Sequence, residues 1–142
     1  MARKAISWIL DFTSKLPNEE EKVKCLQAND NNALRTILKF AFDPNIKWAL
    51  PEGAPPYTPC QFPHQENNLY MEIRRLYLFL TPESGGNPNL KPLKRESLFL
   101  TMLQEVDPED AKLLLAIKDK TLPYKGLTSK TVLKAFPGLY NG

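Results

Sequence analysis

Lys118, Lys120 and Lys125 lead into the string Gly126-Leu127-Thr128-Ser129-Lys130, and Lys134 follows one helical turn later. Ammonium groups gathered around a glycine turn and a helix start suit a polyanion, because lysine charge and free backbone N–H groups point the same way. The distribution of charge sharpens the point. Residues 1–111 hold thirteen cations against fifteen acids, whereas residues 112–142 hold six lysines against one acid, Asp119. A net charge of +3 therefore conceals a polarised chain, and nucleic acid is the leading class of partner.

The other residue types that carry chemistry form no catalytic pattern. His64 lies four residues after Cys60, and with Cys25 they lack the paired spacing of a zinc site. A proline-rich segment also gives that histidine no rigid frame for work as a base. Gly85-Gly86 lacks the following Lys-Ser or Lys-Thr of a phosphate-binding loop. Glu105, Asp107, Glu109 and Asp110 read as helix capping and dipole compensation. The expectation is a protein with no enzyme activity, no cofactor, no metal and no small-molecule substrate.

The elements that must position the lysines are helical. Period-3.6 patterns dominate and period-2 alternation is almost absent. Residues 3–16 put Ile6, Ile9, Leu10 and Thr13 on one face, and Asn18 with Glu21 forms a capping box for a second helix through Leu26. Asp30 or Asn31 caps a third helix, with Leu34, Ile37, Leu38 and Ala41 inward, and Asp43-Pro44 ends it. A fourth spans about 67–80 with Leu69, Ile73, Leu76, Tyr77 and Leu80 inward, and a fifth about 92–105 with Leu98, Phe99, Met102 and Leu103. Asp107-Pro108 starts a sixth helix carrying Ala111, Leu114, Leu115 and Lys118; Thr128 caps a short seventh with Val132, Leu133 and Phe136.

Between helices three and four, residues 44–66 form a proline-rich strap, which Trp48, Tyr57 and Phe62 would pin across the helices. Residues 81–91 read as a mobile loop. At 142 residues the chain is expected to be a single all-α domain, 1–142, a compact bundle of six to seven helices with a long proline-rich internal loop and a basic C-terminal segment, 112–142. The opening stretch Met1–Leu10 is interrupted by Asp11 and reads as a helix, not a leader. With no apolar run of spanning length and two unpaired cysteine positions, the expected location is the cytoplasm, away from membranes.

The string from Gly126 to Leu139, ending Phe136-Pro137-Gly138-Leu139, resembles the end of the amino-terminal DNA-binding domain of bacteriophage ATP-dependent DNA ligases. A second likeness runs from Asn29 to Pro44 and on through Ile46-Lys47-Trp48. The chain looks like that domain standing alone, as in small proteins of T-even-like phages and cyanophages. It lacks the Lys-x-Asp-Gly string of the ligase nucleotidyltransferase domain; Lys118-Asp119-Lys120 comes nearest and has no glycine. The resemblance implies a non-catalytic module that grips double-stranded DNA through its backbone, largely without reading sequence. Lys118, Lys120, Lys125, Lys130 and Lys134 would then neutralise phosphates. Gly126 would admit a close approach, and Thr128 and Ser129 would donate from the helix start. Arg35, Lys39 and Lys47 would form a second group, and a phage-encoded chain would work in the host cytoplasm.

A competing reading keeps the fold without DNA affinity: a module that binds a phage or host protein, or that belongs to a virion. Its expected surface is the aromatic strap with Trp48, Tyr57 and Phe62, because aromatic residues are enriched at interfaces.

Overall fold

Four side chains expected to start helices do so in the computed structural model, which describes residues 4–62, 65 and 67–140. Asn18 accepts from the Glu21 N–H at 2.9 Å and opens α2 (Glu19–Ala28). Asn31 accepts from the Leu34 N–H at 2.8 Å and opens α3 (Asn32–Phe42). Asp107 accepts from the Glu109 N–H at 2.9 Å and opens α6 (Pro108–Lys118). Thr128 accepts from the Thr131 N–H and opens α7 (Ser129–Ala135). Each satisfies a donor that the first turn of a helix cannot pair internally. With α1 (Ile6–Ser14), α4 (Asn68–Glu72) and α5 (Pro92–Glu105), these make an all-α fold, and no strand occurs among the described residues.

The sixth helix is the hub. It packs against α1, α3 and α5, and Ala111, Leu113, Leu114 and Ile117 are all buried on it. A helix apolar on several sides has no free face and must sit inside the bundle. Around it lie Ile6, Ile9 and Leu10 of α1, Leu34, Ile37, Leu38 and Ala41 of α3, and Phe99, Met102 and Leu103 of α5. The inward stripes of α1 and α3 are those expected from their spacing. On α6, Leu115 is only partly buried, and Leu113 and Ile117 go inward with Leu114. Leu98 of α5 and Leu133 of α7 likewise lie at the margin of the core.

One helix differs from its expected form. After Glu72 the chain tightens into a 3-10 helix, Ile73–Phe79, in which every third residue falls on one side. Ile73, Leu76 and Phe79 are therefore buried, while Tyr77 is 47% exposed. An α-helical period would have put Tyr77 inside and Phe79 outside. The winding places Phe79 against Phe99, their rings 5.1 Å apart edge to face, and in stacked register with Trp48 at 6.4 Å.

That aromatic cluster holds the first part of the strap. Trp48 also meets the Phe40 ring edge-on, and it forms a lone antiparallel bridge with Leu80. Ala49 N–H donates to the Phe79 carbonyl and Thr81 N–H to the Lys47 carbonyl. The loop after the 3-10 helix is tied as well. Ser84 Oγ accepts from the Lys47 N–H and donates to the Asn45 carbonyl, and the buried Arg95 guanidinium donates to the Leu78 and Leu90 carbonyls. So the stretch 81–91, expected as a mobile loop, is fastened at both ends.

The change of winding sets up an unequal pair of substitutions. Phe79→Ala is expected to cost about 3–5 kcal/mol by emptying the cluster, and Tyr77→Ala about 1 kcal/mol or less. Urea unfolding monitored by circular dichroism measures both, and equal losses would contradict the 3-10 register.

Candidate functional site

The expected phosphate-binding lysines do not form one surface. Lys118 is buried at the end of α6; its ammonium donates to the Pro51 carbonyl at 2.8 Å and pairs with the Asp119 carboxylate. It serves the strap and is closed to a nucleic acid. Lys120 adopts a left-handed backbone, φ 56°, which turns the chain after α6. Its ammonium donates to the Phe40 carbonyl at 2.8 Å, and burial holds its pKa below the usual lysine value. Lys134 pairs with Glu19 at 2.6 Å. Lys125 and Lys130 are exposed and make no ion pair among the described residues, although Lys130 lies close enough to Glu19 to help hold that carboxyl below its ordinary pKa.

The reason is the docking of α7 on α2, whose first turn is Glu19-Glu20-Glu21. Glu19 thus faces Lys134 and Lys130 of the basic end. Gln27 of α2 donates to the Ala135 carbonyl, and Lys22 donates to the Gly126 carbonyl at 2.7 Å. Gly126 is required by α1, not by a ligand: a Cβ there would stand 2.0 Å from the Ser14 carbonyl oxygen. Thr128 is occupied in capping, and Ser129 shares a short hydrogen bond with the Tyr140 hydroxyl. In the second expected group, Arg35 is held by a two-pronged pair with Asp30 and lies over the Phe136 ring. Lys39 and Lys47 form no ion pair among the described residues, and Lys47 is exposed.

The strap aromatics also divide. Trp48 lies within the aromatic cluster and is no docking residue, and its buried indole N–H has no partner among the described residues. Tyr57 packs partly against the core. Phe62 alone stays out, 76% exposed. Cys25 hydrogen-bonds with Thr13, and both cysteines are free thiols. His64 lies outside the described residues.

What the sequence reading passed over is the outer face of α1. Trp8 and Phe12, four residues apart, stack at 5.1 Å with nearly parallel rings, and each is 47% exposed. The spacing carried the signal, since positions 8 and 12 lie opposite the inward stripe of Ile6, Ile9, Leu10 and Thr13. The Lys4 ammonium sits 5.1 Å from the Trp8 ring centre. Beside this pair opens a cleft of about 610 Å³ between α1 and the start of α6, closed on its third side by Pro123 and Tyr124.

Behind the cleft is the most perturbed carboxylate among the described residues. Asp110 is fully buried on α6, and its Oδ1 accepts from the Ser7 N–H at 2.9 Å. Burial raises its pKa from 3.8 to about 6, with Asp107 and Glu109 adding to the rise and Ser7 opposing it. The Ser7 hydroxyl is near enough to act on the carboxyl, yet neither Ser7 Oγ nor Asp110 Oδ2 completes a hydrogen bond of ordinary geometry. Burial also pushes Tyr124 up to about 12, helped by the negative charges of Asp11, Asp110 and Glu109. Three acids, Asp11, Asp107 and Glu109, and two lysines, Lys4 and Lys112, line the cleft. Among the described residues no three His, Cys, Asp or Glu side chains come together as metal ligands.

A raised carboxyl pKa means that the folded state holds a proton more tightly than the unfolded chain. Asp110 therefore favours folding below pH 3.8, and that contribution disappears as pH rises through about 6. Asp110→Asn retains an acceptor for the Ser7 N–H and removes the charge. It is expected to raise stability at neutral pH by up to about 3 kcal/mol and to flatten the stability profile across that window. Denaturant unfolding at a series of pH values measures this; an unchanged slope between pH 4 and 6 would contradict it.

No curated protein matches the chain. One family model does, described as a family of unknown function (DUF6433), and it aligns with residues 9–124. That span runs from within α1, through the strap and the whole of α6, to Tyr124 at the edge of the cleft. With more than three quarters of its length aligned, the chain belongs to the DUF6433 family.

Proposed function

We propose that the chain is a non-catalytic protein-interaction module that docks a partner on the outer face of α1. The observation that carries this reading is the half-exposed Trp8–Phe12 stack beside an open cleft. Holding two large aromatic rings in water forgoes the gain of burying them, and such rings are typical anchors at the centre of protein interfaces. They sit on a helix whose opposite side is fixed in the core, so the surface is presented ready-made and little ordering cost remains for binding.

The double substitution Trp8→Ser and Phe12→Ser removes the stack without touching a buried position. Its thermal unfolding is expected to stay close to that of the parent chain. In affinity capture from nuclease-treated lysate of cells that naturally contain the protein, a partner retained by the parent is expected to be lost with the double variant. Retention of the same partners by both would overturn the assignment of this face.

A second reading, duplex DNA binding, is favoured by Lys125 and Lys130, which stay exposed and, among the described residues, without an ion pair at the turn before and the start of α7. Two free cations engage few phosphates, so this reading calls for weak, non-specific affinity. Gel shifts on intact, nicked and single-stranded DNA between about 50 and 200 mM salt test it. Binding that falls steeply with salt and is abolished by Lys125→Glu with Lys130→Glu would support it. Absence of binding at the lowest salt would remove it.

A further inference from the structure

The cleft beside the aromatic stack has a chemistry of its own. Three carboxylates line it, Asp11, Asp107 and Glu109, against two ammonium groups, Lys4 and Lys112. Neither lysine cancels the acids by a strong pair. Lys112 meets Glu109 in a solvent-exposed contact at 3.2 Å, which is worth little. Lys4 lies over the Trp8 ring and has no carboxylate partner among the described residues. Asp11 pairs with Lys15 at the rim, again in the open.

Ser7 lines the cleft and is only 4% exposed, and its hydroxyl lies against the Asp110 carboxylate behind it. A ligand must therefore tolerate the three acids of the lining and, behind Ser7, Asp110. The walls are aromatic, Trp8 on one side and Tyr124 on the other. Acids beside an exposed aromatic face together describe a receptor for a cation. The chain itself places an ammonium, that of Lys4, against the Trp8 face.

We infer that the cleft between α1 and α6 receives a lysine or arginine side chain from a basic segment of the partner protein. The inference rests on the proposed interaction role and supplies the chemistry of the partner. The incoming cation takes the Trp8 face in place of Lys4, with Asp11 and Glu109 on its flanks. Asp107 is committed to capping α6 and contributes charge only.

The test uses acetylated, amidated five-residue peptides that differ at their central residue: arginine, lysine, norleucine or glutamate. Binding is followed through the Trp8 indole N–H resonance of the full chain. The arginine and lysine peptides are expected to bind about tenfold more tightly than the norleucine peptide, and the glutamate peptide not at all. Asp11→Asn with Glu109→Gln removes two surface charges, and its folding is checked by its melting curve. It is expected to abolish the preference for cations. If that variant melts early, Lys4→Met serves alone: removal of the resident ammonium is expected to tighten arginine binding.

Equal binding of the arginine and norleucine peptides, no shift with any peptide, or no gain in Lys4→Met would overturn the inference. So would free arginine amide binding as tightly as its peptide, which would make the cleft a small-molecule site. Partner capture that depends on Trp8 and Phe12 but is indifferent to Asp11→Asn with Glu109→Gln would overturn the cationic anchor and leave the interaction role intact.

Discussion

A central helix fastened at both ends by buried charged side chains organises this fold. Near the start of α6, the Asp110 carboxylate takes the backbone N–H of Ser7, a hundred and three residues away in the chain. At its end, the Lys118 ammonium donates to the backbone carbonyl of Pro51, sixty-seven residues away. Apolar packing alone would let a helix surrounded on several sides slide or rotate, since one leucine contact resembles another. Directional bonds to backbone groups fix both its depth and its rotation.

Much of the helical framework was legible because it rests on local physics. Asn18, Asn31, Asp107 and Thr128 cap the helices they were expected to cap, since a capping bond spans two or three residues and needs no knowledge of the rest. The inward stripes of α1 and α3 followed from spacing for the same reason. Tyr77 and Phe79 exchanged places because the winding of Ile73–Phe79 answers to the aromatic cluster of Trp48, Phe99 and Phe40, which is assembled from distant segments. No window of sequence contains that demand.

The site was less legible, and the failure has a physical pattern. A count of lysines along the chain measures charge but says nothing of what each ammonium meets. Lys118, Lys120, Lys134 and Arg35 each found an internal acceptor, three of them far away in sequence. The acid that meets Lys134, Glu19, sits on α2, more than a hundred residues earlier. Gly126 looked like an opening for a ligand and proved to be a contact surface for the Ser14 carbonyl. Trp8 and Phe12 were readable as an outward pair, but their meaning came from the cleft beside them, which needs α6 and Tyr124 to exist.

The packing of α7 on α2 has a consequence for biosynthesis. Leu26 of α2 is wholly buried, and Lys22 and Gln27 spend their donors on the carbonyls of Gly126 and Ala135. While the ribosome is still translating the middle of the message, that side of α2 has nothing to rest against and remains wet. Completion of the native fold must therefore wait until residues near Phe136 have left the exit tunnel, and for several seconds the nascent chain offers α2 to chaperones.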